Sequence, residues 1–163
     1  MLRRLELRWL NAEKRKGKIM DFLALTQADY DLIQEALAVL AEHFDPGVYH
    51  HTVGCAVRCK NGNIYRGINC DGIHGSCAEY ITIGNAICAG EREFDTIVAV
   101  HEHAPNKLYA PCGNCRQMLI EYCPDIHVIL NDDEGNIRKV CVFGTYCRLP
   151  GSRPRIFKKK TRV

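Results

Sequence analysis

Two short cysteine motifs constrain this chain more than any other feature. One is Cys77-Ala78-Glu79; the other is Pro111-Cys112-Gly113-Asn114-Cys115. Each stands at the predicted start of a helix. Cys112 and Cys115 are three residues apart and share one face of a helix start. A helix N-terminus offers free N–H groups and the positive end of the dipole, which favour thiolates. Any fold that uses both motifs must bring two helix tips together.

Three thiolates so placed suit zinc. A catalytic zinc site takes three protein ligands and leaves the fourth position to water. Cys77, Cys112 and Cys115 are the candidate ligands. Glu79 lies two residues past a ligand, so it is held near the metal without binding it, as a proton carrier requires. Three thiolates on Zn²⁺ leave a net charge of −1, which Arg116 is placed to offset. The competing arrangement is a closed structural site with His74 as fourth ligand. The Glu79 offset, Pro111, and a helix opening at each motif favour the open site.

The chain has 163 residues, enough for one compact domain. Ten cysteines are present. The leading stretch MLRRLELRWLNAEKRK is interrupted by Glu6, Arg8 and Asn11 and lacks the apolar core of a secretion signal. The expected setting is therefore the reducing cytoplasm, with no membrane association. Cys55, Cys59, Cys88, Cys123, Cys141 and Cys147 lie in apolar stretches and read as packing residues. Charge is unevenly spread. Residues 1–20 hold seven Lys/Arg against two Glu, and residues 148–163 hold seven Lys/Arg and no acid. The segment between them is acidic. Basic ends can attract phosphates, but nucleic acid is not the expected partner. The acidic body lacks an aromatic stacking platform, and the ends read as solvated tails. The organisation expected is a basic extension over 1–20, a zinc-dependent domain over 21–150 and a basic tail over 151–163.

Element signals are clear in the middle of the chain. Thr26 opens a T-x-x-D variant of the capping box. Tyr30, Ile33, Leu37, Leu40 and Phe44 follow at helical spacing, giving a helix near 27–44 that ends at Asp45-Pro46-Gly47. Two strands, 53–59 and 64–70, flank Asn61-Gly62-Asn63, a strong hairpin signal. Residues 77–90 and 111–123 read as helices; 94–102, 126–132 and 137–144 read as strands. Strands alternating with helices predict an α/β sandwich with a mixed sheet.

At its motifs the chain resembles the cytidine deaminase superfamily, and within it the small homotetrameric branch that includes cytidine and blasticidin S deaminases. PCGNCRQ is similar to that branch's PCGxCRQ, and CAE matches the first half of its site. The resemblance covers roughly residues 25–150. It implies a three-layer α-β-α sandwich with a five-stranded mixed sheet, one zinc per subunit, and hydrolytic loss of ammonia from a cytosine nucleoside. It also implies a homotetramer whose neighbours complete each active site. Asn69-Cys70-Asp71 stands where the branch has an Asn-x-Glu that grips the ribose. His51 stands where an aromatic ring stacks on the base. Ala78 lies between ligand and proton carrier. Asn69, Asp71, His51 and Ala78 are thus the candidate substrate contacts. Tyr80 occupies the place of an Arg found in many cytidine deaminases. Phe157 is the candidate for an aromatic residue that the branch places after a Leu-Pro, here Leu149-Pro150. CAE rather than His-x-Glu favours a free nucleoside over nucleic acid or free base. A non-catalytic zinc-folded module would have no use for Glu79. His101 and His103 end a strand near the sheet's edge and are left outside the catalytic set.

Overall fold

A computed structural model describes residues 22–142. The two basic ends, Cys147, Leu149-Pro150 and Phe157 lie outside the described residues. The described residues form three α-helices: α1 (Gln27–His43), α2 (Ala78–Cys88) and α3 (Gly113–Tyr122). The same residues form six strands: β1 (Val53–Cys59), β2 (Ile64–Ile68), β3 (Phe94–His101), β4 (Leu108–Tyr109), β5 (His127–Asn131) and β6 (Ile137–Cys141).

The sheet runs β2-β1-β3-β5-β6, with the short β4 pairing β3 off this path. The β3–β5 pair is parallel; the others are antiparallel. The mixed sheet is as expected, but it has six strands, not five. β4 is only two residues long, too short for any period to show in the sequence. The hairpin turns at Gly62, whose φ of 93° favours glycine.

One core packs α1 onto one sheet face through Leu32, Ala36, Val98 and Ile129. A second packs α2 and α3 onto the other through Ala86, Ile97, Leu119 and Val128. Helices on both faces make three layers. The buried stripe of α1 overlaps the predicted one at Ile33 and Leu40, and Leu37 packs against the same core, but its ends differ. It runs through Leu32, Ile33, Ala36, Val39 and Leu40, while Tyr30 and Phe44 are exposed. The reason is close approach. A Cβ on Gly54 would stand 2.6 Å from the Ala36 carbonyl oxygen and 2.9 Å from the Leu40 Cβ, so the α1 backbone is seated directly on a glycine. Cys55, Cys59 and Cys123 are buried as expected. Cys88 is exposed instead, as the last residue of α2.

The capping box forms and does more than cap. The Asp29 carboxylate accepts from the Thr26 backbone N–H at 2.9 Å and from its hydroxyl at 3.0 Å. It also accepts from Arg58 at 2.8 Å and Lys139 at 3.0 Å, though it is wholly buried. Burial works to raise its pKa. The Thr26 N–H, Arg58 and Lys139 outweigh that and hold the carboxyl well below the ordinary range. This carboxylate joins α1 to β1 and β6. Its contribution is complete above the unfolded pKa near 4 and is lost as pH falls toward the lower folded value. Asp29→Ala leaves Lys139 buried without its partner and is expected to cost about 3–5 kcal/mol. Urea unfolding at pH 7 checks this; a loss below about 1 kcal/mol would refute it.

Candidate metal centre and substrate cleft

Cys77 is the N-cap of α2 and Cys112 the N-cap of α3. The two helices lie side by side on the same face of the sheet, so their tips meet. The Cys77, Cys112 and Cys115 sulfurs all lie within 4.8 Å of one another. Cys77 Sγ and Cys112 Sγ are 3.6 Å apart. Tetrahedral zinc with Zn–S bonds of about 2.3 Å requires sulfurs about 3.8 Å apart, so the spacing fits. Among the described residues, no fourth His, Cys, Asp or Glu joins the set. His74 is exposed and stays outside it, which leaves the closed site without its fourth ligand.

The environment is divided over ionising these thiols. Burial raises Cys77 and Cys115. Burial also opposes ionisation of Cys112, but the Cys115 backbone N–H, pointing at Cys112 Sγ from 3.4 Å, helps bring it below its ordinary value. A divalent cation is the partner that lets all three be thiolates together.

Glu79 is 4% exposed, close to the sulfurs but outside their cluster. Burial raises its carboxyl pKa, partly offset by its own backbone N–H and the Cys115 thiol. Ala78 is buried in the cleft wall, and its carbonyl accepts the Thr82 hydroxyl at 2.8 Å. Tyr80, next after Glu79, donates to Asn114 Oδ1 at 3.2 Å and ties α2 to the Cys112–Cys115 turn. Arg116 folds back over the same turn: its Nη2 is 3.9 Å from where a Cβ on Gly113 would stand.

A cleft of about 390 Å³ opens over these groups. Asn69, Asp71, Cys70 and Ile73 form one wall and Tyr109 and Ala110 another, with Cys77, Glu79 and Cys112 at the base. Asn69 is already heavily used. Its Oδ1 accepts from the Thr52 and Val53 N–H groups at 2.8 and 2.9 Å, and its Nδ2 donates to the His50 carbonyl at 2.8 Å. One amide N–H is left for a ligand. One Asp71 oxygen accepts the Gly72 N–H at 2.9 Å. His51 Nδ1 donates to the Asn69 carbonyl at 2.7 Å, and its ring stacks on Tyr49; it is not among the residues lining the cleft. Tyr109 and Cys70 also line the cleft; Cys70 sits within the Asn69-Cys70-Asp71 stretch, whereas Tyr109 lies outside every motif. Nothing in the local pattern around Tyr109 marks it, because β4 is so short.

The family model of the cytidine and deoxycytidylate deaminase zinc-binding region matches residues 26–130. The chain belongs to this family. A blasticidin-S deaminase of Bacillus cereus is 33% identical over 115 residues, 65% of this chain and 81% of the relative. A cytidine deaminase of Halalkalibacterium halodurans is 32% identical over 115 residues, 68% of this chain and 85% of the relative. The crystal structure of a Burkholderia pseudomallei cytidine deaminase superposes with a TM-score of 0.61 at 31% identity, covering 79% of this chain and 100% of that one. Like its family, this deaminase is a zinc protein, and the three-cysteine cluster matches that chemistry. No described helix is long and apolar enough to cross a membrane.

Proposed function

We propose that this chain removes the exocyclic amine of a cytosine nucleoside by hydrolysis, with Cys77, Cys112 and Cys115 holding zinc and Glu79 moving protons. Cytidine, deoxycytidine and blasticidin S are the candidate substrates. The observation that carries this reading is the meeting of three sulfurs at two helix tips, with a buried carboxyl beside them that is not part of the set. Zinc held there supplies the Lewis acidity that makes water a nucleophile near neutral pH. Glu79 takes a first proton from the attacking water and returns it to the ring nitrogen, then takes the second from the hydroxyl now on the ring carbon and passes it to the departing amine. Water is consumed and ammonia leaves, so the cytosine ring becomes uracil. Burial favours the neutral form of Glu79, which readies it to hold and hand back a proton. Arg116 offsets the excess thiolate charge. Ala78 lines the base pocket, the remaining Asn69 N–H and Asp71 meet the sugar, and His51 orders the loop behind Asn69.

A homotetramer with shared active sites is part of this reading. Ile73, at the cleft mouth, is 98% exposed, as a side chain awaiting a neighbouring subunit would be. Light scattering that returns a monomer mass would remove that element. In this reading residues 1–20 and 151–163 are extensions of a catalytic domain that spans 21–150. Loss of ultraviolet absorbance and ammonia release, followed across cytidine, deoxycytidine, cytosine, blasticidin S and guanine, test the reaction. Turnover of at least one cytosine nucleoside, with free bases inert, is the expected result. Turnover of free bases alone would overturn it.

A further inference from the structure

One aromatic wall of the cleft has no part in the chemistry above. Among the described residues that line the cleft, Tyr109 carries the only ring. Its direction is set by the backbone. β4 pairs Tyr109 with Ala99 and Leu108 with Val100, and cross-strand partners share a face. Leu108 and Val100 lie in the core under α1. Ala99 lies in the core under α2 and α3. Tyr109 therefore projects on the face that carries the two cysteine tips, where it stays 49% exposed.

The ring is buttressed. His101 packs behind it, ring centroids 5.2 Å apart and 38° from parallel. His101 is itself fixed, because its Nδ1 accepts the His103 backbone N–H at 3.0 Å. On this side lies a second hollow of about 460 Å³, lined by His101, His103, Leu108 and Asp132. Tyr109 and Ala110 line both hollows. Tyr109 is thus shared by the cysteine cleft and a neighbouring space of similar size.

We propose that Tyr109 is a specificity-determining residue: its ring packs against the bound nucleoside and, by closing off the second hollow, limits how large a cytosine nucleoside the cleft accepts. The proposal rests on the deaminase reading above. A flat unsaturated base gains from contact with a ring held in place beforehand, and the gain belongs to binding more than to the chemical step.

Steady-state kinetics of zinc-loaded Tyr109→Ala and Tyr109→Phe test this, with cytidine and with blasticidin S as a cytosine nucleoside carrying a bulky arm. Tyr109→Ala is expected to raise KM for cytidine about tenfold, the scale of one base–ring contact, with kcat within about threefold. The kcat/KM ratio of blasticidin S to cytidine should rise by about fivefold or more as the two hollows join. Tyr109→Phe should stay within about twofold of the parent, since the ring and not the hydroxyl acts. Uridine, the product nucleoside, gives a readout without turnover: its calorimetric Kd should weaken about tenfold in Tyr109→Ala. Should Tyr109→Ala fail to fold, Tyr109→Leu keeps an apolar side chain without the ring and must show the same KM and Kd losses. A folded, zinc-loaded variant with KM and uridine Kd unchanged, or with kcat reduced at constant KM, overturns the proposal. A parent protein that binds uridine yet turns over no cytosine nucleoside overturns the deaminase reading instead, and the uridine Kd still decides on Tyr109.

Discussion

Glu79→Gln is expected to leave the protein folded and zinc-loaded while lowering kcat by about 10²–10⁴-fold or more, the range of a positioned acid–base group. The loss should sit at the upper end, because one carboxyl serves every proton transfer. Gln keeps the shape and cannot carry a proton between atoms. Stability should not suffer. Glu79 is 4% exposed and burial already disfavours its charge, so a neutral amide relieves that burden. Glu79→Ala is a poorer test, because it opens a void over the cysteines. Ammonia release with cytidine, beside zinc content and a melting curve, gives the answer. A Glu79→Gln protein with kcat within about tenfold of the parent, zinc in place, would sink the proton-carrier assignment.

The parts of this molecule that were legible beforehand are those with a local chemical signature. The two cysteine motifs, the Thr26/Asp29 box and the Asn61-Gly62 turn each declare themselves within a few residues. All three became the structures their chemistry implies. What stayed hidden is set by distant packing. The predicted apolar stripe of α1 caught Ile33 and Leu40 but not Leu32, Ala36 and Val39, because the helix backbone at Ala36 and Leu40 rides directly on Gly54, a close approach that a hydrophobic period cannot weigh. β4 exists because Tyr109 and Leu108 find β3, not because two residues have a strand pattern. Asp29 looked like a cap and proved also to be the anchor of Arg58 and Lys139, partners far along the chain. In the site the same division holds. The cysteines and Glu79 are gathered by two helix starts that sequence marks plainly. Tyr109 enters from a strand that sequence does not mark, and the hydrogen-bond load on Asn69 is set by the loop at His50–Val53.

Cys112→Ser is expected to abolish stable zinc binding and turnover together while leaving α3 in place. Serine is a good N-cap, and Cys112 already caps α3 by accepting the Cys115 N–H through its sulfur. The substitution thus removes a thiolate and keeps the helix start. Cys115→Ser is less clean, since it leaves a hydroxyl in a fully buried place. Zinc affinity should fall by more than about 100-fold, the upper range for losing only an outer partner of a ligand. Competition with a chromophoric chelator measures that fall. Bound zinc stabilises the folded state by mass action, about 2.7 kcal/mol at a hundred times its Kd. A chelator should therefore lower the melting temperature of the parent and leave that of Cys112→Ser unchanged. Parent-like zinc affinity in Cys112→Ser would remove Cys112 from the ligand set. The two substitutions also separate two failures that activity alone confuses: Glu79→Gln loses turnover with zinc retained, and Cys112→Ser loses turnover because zinc is gone.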